Sequence, residues 1–287
     1  MPDQAKLTIE KMRRADVDYA IRQAGAEGWN PGLHDAECFY AADPDGFFVA
    51  RRGKDVAGCI SAVAYGTSFG FIGLFIVEPA LRGHRVGVEL GRQAMHHLRD
   101  RTIGIDGVLN KVKNYEVLGF AKAYENIRYE GEAARIASGT MDHPDLVPLC
   151  TLPFETVAAY DARHFPTPRD RFLGPWINQA DSLSLGVVKD GNLQACGVIR
   201  ECLNGYKIGP LFADSPEDAD LLLTTLCCYP GENVPVFLDV PEVNPAAVRM
   251  AERFGMKKVF ATARMYTRTA PVLPMEHIFG VTSFELG

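Results

Sequence analysis

The segment IVEPALRGHRVGVELG, residues 76–91, concentrates the residue types that do chemistry in this chain. A near-continuous apolar run, FGFIGLFIV at 69–77, reads as a central buried strand. It enters a short turn with Pro79, then Arg82, Gly83, His84, Arg85, Val86 and Gly87, and passes directly into a helical pattern. The first N–H groups of a helix are unpaired and carry the positive end of its dipole, and glycines there let a phosphate approach the backbone. With Arg82, Arg85 and Arg92 adding charge, the spacing suits anion binding. It matches neither the GxxxxGK[ST] phosphate loop nor the GxGxxG of a dinucleotide fold. Tight packing of a strand on its following helix is the other use of such a turn, and these residues alone leave both open.

Elsewhere the reactive types carry less. Cys59 lies in the apolar strand GCISAVA with no charged neighbour to lower its pKa, which favours packing over a nucleophile. The seven cysteines (Cys38, Cys59, Cys150, Cys196, Cys202, Cys227, Cys228) are odd in number and form no CxxC pair, so small buried hydrophobes are expected rather than a disulfide framework or zinc site. His96 and His97 lie beyond the first turn of the helix, where a solvated face is expected. His34, His143, His164 and His277 are isolated in sequence, so no metal is expected.

The elements that position the turn are legible. A strand is expected at 6–13, a helix capped by Asp16 to about Gly25, a turn at GWNPG (28–32), a short helix at 34–40, and strands on either side of a turn at 53–55. After 69–77 come a helix at 86–99 with Val86, Leu90, Ala94 and Leu98 on one face, a strand at 102–109, a short helix in VKNYEVLG and a strand in FAKAYENIRY. Residues 130–153 carry the punctuation of a linker. The order then repeats: helices at 154–164 and 170–179, strands at 183–188 and 194–203, YKIGPLFA, a helix at 216–228, VPVFLDV, a helix at 245–254 and a strand through Arg268. An offset of 136 residues aligns Ile72 with Ile208, Gly73 with Gly209, Gly119 with Gly255, Lys122 with Lys258 and Arg128 with Arg264, which reads as two copies of one fold.

The ordered set of strand, RGHRVG turn, helix, strand and NYEVLGF resembles the GNAT superfamily of acyl-CoA-dependent N-acetyltransferases. EGWNPG (27–32), DPDGFF (43–48) and NIRYEG (126–131) are further similar to the bacterial group of paired GNAT domains of the YitH type. The resemblance implies an α/β (α+β) fold of two tandem domains, each a mixed, mostly antiparallel twisted sheet flanked by helices. An acetyltransferase domain is expected at 1–132, a linker at 133–152 and a GNAT-like domain at 153–287. In that family an R/QxxGxG/A turn cradles the coenzyme A pyrophosphate, which here maps onto Arg82 to Val88, through Gly83, His84, Arg85, Val86 and Gly87. Arg85 replaces the middle glycine. By the same resemblance the end of the preceding strand, Phe75, Ile76 and Val77, would hold the pantetheine arm, and Tyr115 of the YxxxGF signature would lie near the thioester sulfur.

The implied reaction is direct acetyl transfer from acetyl-CoA, as cosubstrate, to a small-molecule amine. Tyr115 would protonate the leaving thiolate, and Glu78 or Asp106, or a water chain, would accept the amine proton. The turn between the first two helices is the usual lip of the acceptor pocket, which puts Trp29, Asn30 and Asp35 there. Trp176 either faces the cleft or packs. In the second half the offset turns Arg82, Gly83, His84 and Arg85 into Asp218, Ala219, Asp220 and Leu221, and Tyr115 into Ala251. Carboxylates repel phosphate, so one coenzyme site per chain is expected, in the N-terminal half. A non-catalytic acyl-CoA-binding or sensing module is the alternative.

Composition bounds the partners. The chain has 287 residues, 36 acidic against 30 basic, and a formal charge of -6, so it offers no global positive field for nucleic acid or an anionic membrane. It contains no apolar run of membrane-spanning length, and Met1 to Glu10 show neither a basic n-region nor an apolar h-region, so no leader and a cytoplasmic monomer or homodimer are expected.

Overall fold

The apolar and alternating runs become strands of one continuous mixed sheet, in which the two halves of the chain are interleaved. The computed structural model describes residues 6–138 and 142–287. The first five residues of the expected N-terminal domain, and residues 139–141 of the expected linker, lie outside them.

The first half runs β1 (Leu7–Lys11), α1 (Arg14–Ala26), α2 (Asp35–Ala42), β2 (Phe47–Arg52), β3 (Asp55–Tyr65), β4 (Phe69–Val77), α3 (Val86–His97), β5 (Thr102–Val108), α4 (Val112–Val117) and β6 (Ala121–Glu132). Asp16 is not the cap of α1; it sits one turn in and accepts the Arg13 N–H at 2.9 Å, so the helix begins earlier than the sequence suggests. The expected linker contains α5 (Ala133–Ile136) and β7 (Leu146–Pro148). Because β7 pairs with a strand of the second half, that segment is partly built into the sheet.

The second half runs α6 (Phe154–Asp161), α7 (Asp170–Ile177), β8 (Ser182–Lys189), β9 (Asn192–Glu201), β10 (Tyr206–Ala213), α8 (Pro216–Leu226), β11 (Pro235–Pro241), α9 (Pro245–Arg253), β12 (Lys257–Tyr266) and β13 (Ile278–Gly280). The strand order is β1-β2-β3-β4-β5-β12-β6-β11-β10-β9-β8-β7, with β13 against β10. Thus β12 of the second half lies beside β5 of the first, and β6 of the first beside β11 of the second. Two buried ion pairs mark this exchange. Arg264 of β12 stands opposite Asp106 of β5, and Arg128 of β6 stands opposite Asp239 of β11.

Three apolar cores follow. α1, α2, α6 and α7 share one face of the sheet in a core that runs from Val17 through Phe39 and Trp176 to Leu286. Behind the first half, α3 buries Val86, Leu90, Ala94 and Leu98, the stripe its sequence spacing predicts. Behind the second half, α8 and α9 close a core around Leu222, Leu223 and Met250. Trp176 is fully buried, its Nε1 donating to the Gly209 carbonyl at 3.0 Å, so it packs. Five cysteines are buried as expected, while Cys150 and Cys228 are exposed.

Residues 267–287, for which the sequence offers no element, contain a 3-10 turn at Met275–His277 and β13. The last seven residues are buried. They run between the two halves: a Cβ at Gly209 would meet the Thr282 carbonyl, and one at Gly73 would collide with the Glu285 carbonyl. Side-chain-free positions are therefore required on both strands that the tail crosses.

Candidate functional site

β4 and β5 pair in parallel only over 69–72 and 102–105, and beyond that point they separate. Strand β4 bulges there, its register on β3 shifting between Cys59 and Ser61, and Leu74 takes a left-handed φ of 45°. From the bulge onward the strand is regular. The Glu78 N–H donates to Ala57 of β3 at 3.0 Å, so alternation turns the backbone groups of Phe75 and Val77 the other way, into the opening that β5 vacates. Ile76 is buried, whereas Phe75 and Val77 are partly exposed, as a slot wall requires.

The slot leads to the N-terminus of α3. Its N-cap residue, Arg85, is left-handed at φ 62° and supplies no side-chain cap. Glu89 is bonded to the Arg85 carbonyl at 3.1 Å, so the N–H groups of Val86, Gly87 and Val88 precede the first intrahelical bond and face outward together. Gly83 is left-handed too, at φ 84°, and His84 and Val88 are exposed beside it. Arg82 folds back, its Nε donating to the Val77 carbonyl at 3.0 Å while its guanidinium pairs with Glu27. Arg85 and Arg92 reach Glu89 at 3.6 and 2.6 Å. These three arginines are between 52% and 77% exposed, each paired with a carboxylate at the rim of the helix end.

Tyr115 of α4 is half-buried on the same face of the sheet. Its ring lies over Gly107 of β5, where any Cβ would strike it, and edge-on to Phe120 with centroids 6.5 Å apart. Burial raises its pKa, so the phenol stays protonated through the neutral range. Glu78 sits at the other face, at the end of β4, and accepts a hydrogen bond from Tyr19 of α1, a partner that no motif or spacing signals. Burial, followed by that bond, raises the Tyr19 pKa well above its usual value. Cys59, beneath them, is pushed up to about 12 by burial and donates to the Leu74 carbonyl at 3.4 Å, as expected of a packed thiol.

Asp106 is fully engaged. Its carboxylate takes Arg264 at 2.6 and 3.1 Å, Asn126 at 2.8 Å and Thr262 at 3.3 Å, and its side chain is fully buried. The α1–α2 turn is similarly committed, to the second half. Asp35 is buried and held by Arg200 at 2.8 and 3.3 Å and by the Gly32 N–H at 2.8 Å. Asn30 exchanges hydrogen bonds with the backbone of Asn204, both at 2.8 Å, and its carbonyl accepts from Lys207. Trp29 is part-buried, its carbonyl accepting from Arg128 at 2.8 Å. The structure therefore brings Arg82 to Val88, Phe75 to Val77, Glu78 and Tyr115 to the two sides of one slot. It places Trp29, Asn30 and Asp35 on the seam between halves.

In the second half the same strand end is closed. β10 pairs with β11 in parallel only over 206–208 and its register on β9 shifts between Ile208 and Leu211, repeating the separation and bulge. Here, however, β13 enters the gap, pairing with β10 at Leu211 and Phe212, while the Val281 N–H donates to Asp239 of β11 at 2.9 Å. The N-terminus of α8 is capped by Ser215, which accepts from the Asp218 N–H, and Ala251 at the Tyr115 position is buried. Asp218 and Asp220 are occupied by Lys189 and Arg253. Sequence offset reads the lost charges, but the strand that fills the gap comes from a tail with no periodic pattern.

Residues 10–126 match the family described as Acetyltransferase (GNAT) family, and residues 157–280 match a second, the Acetyltransferase (GNAT) domain. The chain is similar to the holothin acyltransferase of Pseudoalteromonas sp. (strain SANK 73390), 28% identical over 91% of this chain and 88% of that one. It is similar also to the uncharacterized N-acetyltransferase YitH of Bacillus subtilis (strain 168), 21% identical over 96% and 97%. Among solved structures, a putative acetyltransferase from Pyrococcus horikoshii superposes with a TM-score of 0.82 at 21% identity, covering 98% of this chain and 96% of that one.

Proposed function

The chain belongs to the GNAT acetyltransferase family, with two GNAT domains in tandem, and from that premise we propose that it transfers an acetyl group from acetyl-CoA to the amine of a small molecule at one site, in the N-terminal half. The observation that carries this reading is the contrast between the two strand openings. The first leads from a bulged, partly unpaired strand to an uncapped helix N-terminus, and the second is filled by β13 and capped by Ser215.

The residues fit the cosubstrate. The N–H groups of Val86, Gly87 and Val88 would hold a pyrophosphate, with Arg82, Arg85 and Arg92 adding charge from the rim. The backbone of Phe75 and Val77 would accept an amide-bearing arm as an added strand, and an N–H there would polarise a thioester carbonyl. Acetyl-CoA would supply the activated acyl group as a thioester and leave as the free thiol. Tyr115 donates a proton to the leaving thiolate; its raised pKa keeps it protonated but makes it a weaker acid, so its contribution rests on position. Glu78, with Tyr19 fixing its carboxylate, is the base. Asp106 is assigned to holding β5 against β12, because its carboxylate is buried and paired with Arg264, which stabilises the anion against taking an amine proton. A relative named holothin acyltransferase supports acyl transfer.

Calorimetric titration with acetyl-CoA tests the site. One equivalent per chain is expected, abolished in Gly87→Glu, whose side chain would start beside Phe75 and Val77 and bring a negative charge to the helix end. Two equivalents, or binding that survives this variant, refutes the single N-terminal site. With an acceptor found by screening amines for thiol release, Tyr115→Phe is expected to lower turnover about ten- to a thousandfold with acetyl-CoA affinity retained. Unchanged turnover removes Tyr115 from the reaction.

A further inference from the structure

The end of β10 carries a cluster that acyl transfer does not use. His164, Asp214 and His277 bring one ligand atom each to within 4.8 Å of one another. They arrive from three places: His164 after α6, Asp214 directly after β10, and His277 at the close of the 3-10 turn that precedes β13. His164 is 2% exposed, and its Nδ1 lies 2.9 Å from the Tyr160 carbonyl. A carbonyl only accepts, so Nδ1 carries the proton and Nε2 presents its lone pair. That Nε2 is buried without a hydrogen-bond partner, and so is Nδ1 of His277. Two buried, unpartnered imidazole nitrogens converging on one carboxylate form a costly arrangement unless a cation completes it.

We propose that His164 Nε2, His277 Nδ1 and one carboxylate oxygen of Asp214 bind a divalent transition metal, zinc by the donor set, with water in the fourth position. The outer contacts are those a ligand set needs. The Tyr160 backbone fixes the His164 tautomer, while Arg163 at 3.1 Å donates to Asp214 Oδ1, and the Tyr160 hydroxyl, shared between the Gln194 carbonyl at 2.7 Å and Asp214 Oδ1 at 3.0 Å, helps to orient the carboxylate. Bonds of about 2.0–2.1 Å put tetrahedral ligand atoms roughly 3.3 Å apart. His277 Nδ1 and Asp214 Oδ1 are 3.6 Å apart, near that spacing, and the three ligand atoms, all within 4.8 Å of one another, draw together on binding.

The location gives the site a role. Asp214 is the 136-residue counterpart of Glu78, and the Tyr160 hydroxyl lies 3.0 Å from it, shared with the Gln194 carbonyl, much as Tyr19 lies against Glu78. The second half thus retains the strand-end carboxylate of a reaction centre, and a metal there fastens the segment that leads into β13, the strand filling the gap. Its presence is independent of whether the first half transfers acetyl groups.

Zinc titration of the full chain after dialysis against a chelator, followed by calorimetry and by thermal unfolding, tests this directly, with cobalt(II) absorption reporting coordination. One equivalent per chain, a raised unfolding midpoint and the visible bands of a tetrahedral cobalt site are expected. His277→Ala, at a part-exposed turn that tolerates truncation, is expected to weaken zinc binding about a hundredfold or more, and Asp214→Asn to do likewise, with far-UV circular dichroism unchanged. The double variant His96→Ala/His97→Ala is expected to bind as the parent does. No zinc uptake overturns the proposal. So does uptake that survives His277→Ala and disappears with the α3 histidines, which would assign the metal to that helix.

Discussion

Arg85 holds a left-handed backbone, φ 62°, at the position where the family turn has glycine. The helix can begin only if this residue reverses the chain after Gly83, so the conformation survives the substitution and the side chain bears the strain, about 1 kcal/mol for a Cβ in that region. The guanidinium is 77% exposed and only approaches Glu89, at 3.6 Å, so little packing opposes its removal. Arg85→Gly is therefore expected to raise stability by about 0.5–1 kcal/mol in urea unfolding, while Arg85→Ala, which keeps the Cβ, gains nothing; equal midpoints for the two variants would refute the strain argument. Residues near one another in sequence were legible at this scale: the strand end, the turn and Tyr115 fall on one slot because short connections force them together. Asp35 and Asp106 were not, because what decides their use is Arg200 and Arg264, 165 and 158 residues away.

The exchanged strands β6 and β12 carry the twin ion pairs, and their energetics belong to the element rather than to a site. Burial disfavours the Asp239 carboxylate, but Arg128, with bonds of 2.7 and 2.8 Å and a nearby Lys207, outweighs it and holds the pKa below the usual carboxylate range. A depressed folded-state pKa contributes stability that is present above the unfolded value, about 3.9, and lost as pH falls through the folded one. Asp239→Asn should cost roughly 3–5 kcal/mol at neutral pH, because Arg128 stays buried without its counter-charge, and should flatten the acid limb of a stability–pH profile below about pH 4. An acid limb identical to that of the parent would detach the pair from that transition. The strands themselves were readable from their alternation, in both halves. Their exchange was not, since a strand's pattern records which face is buried and carries no label for the neighbour at its edge. The tail after Arg268 was unreadable for another reason: it is buried in extended form between two bulges, without a period to detect.

At the scale of the molecule, interleaving removes the independence that two similar domains would otherwise have. β5 finds its second neighbour in β12, 154 or more residues later, and β11 finds its own in β6, while the core of α1, α2, α6 and α7 is shared and the α1–α2 turn is tied to the second half by Asp35–Arg200 and Asn30–Asn204. Residues 1–138 alone would expose the apolar edge of β5, leave Arg128 without Asp239 and Asp106 without Arg264, and uncover half of that core. Such a fragment is expected to be unfolded or aggregated, whereas co-expression with 139–287 should recover a soluble complex, since each fragment supplies the strand the other lacks. The intact chain is correspondingly expected to melt in one calorimetric transition, with van't Hoff and calorimetric enthalpies equal, despite a length at which separate domains usually melt apart. Two resolved transitions, or a stable, monomeric N-terminal fragment that binds acetyl-CoA, would mean that the exchanged strands decorate two self-sufficient domains; a single transition ties the folding of the first half to that of the second.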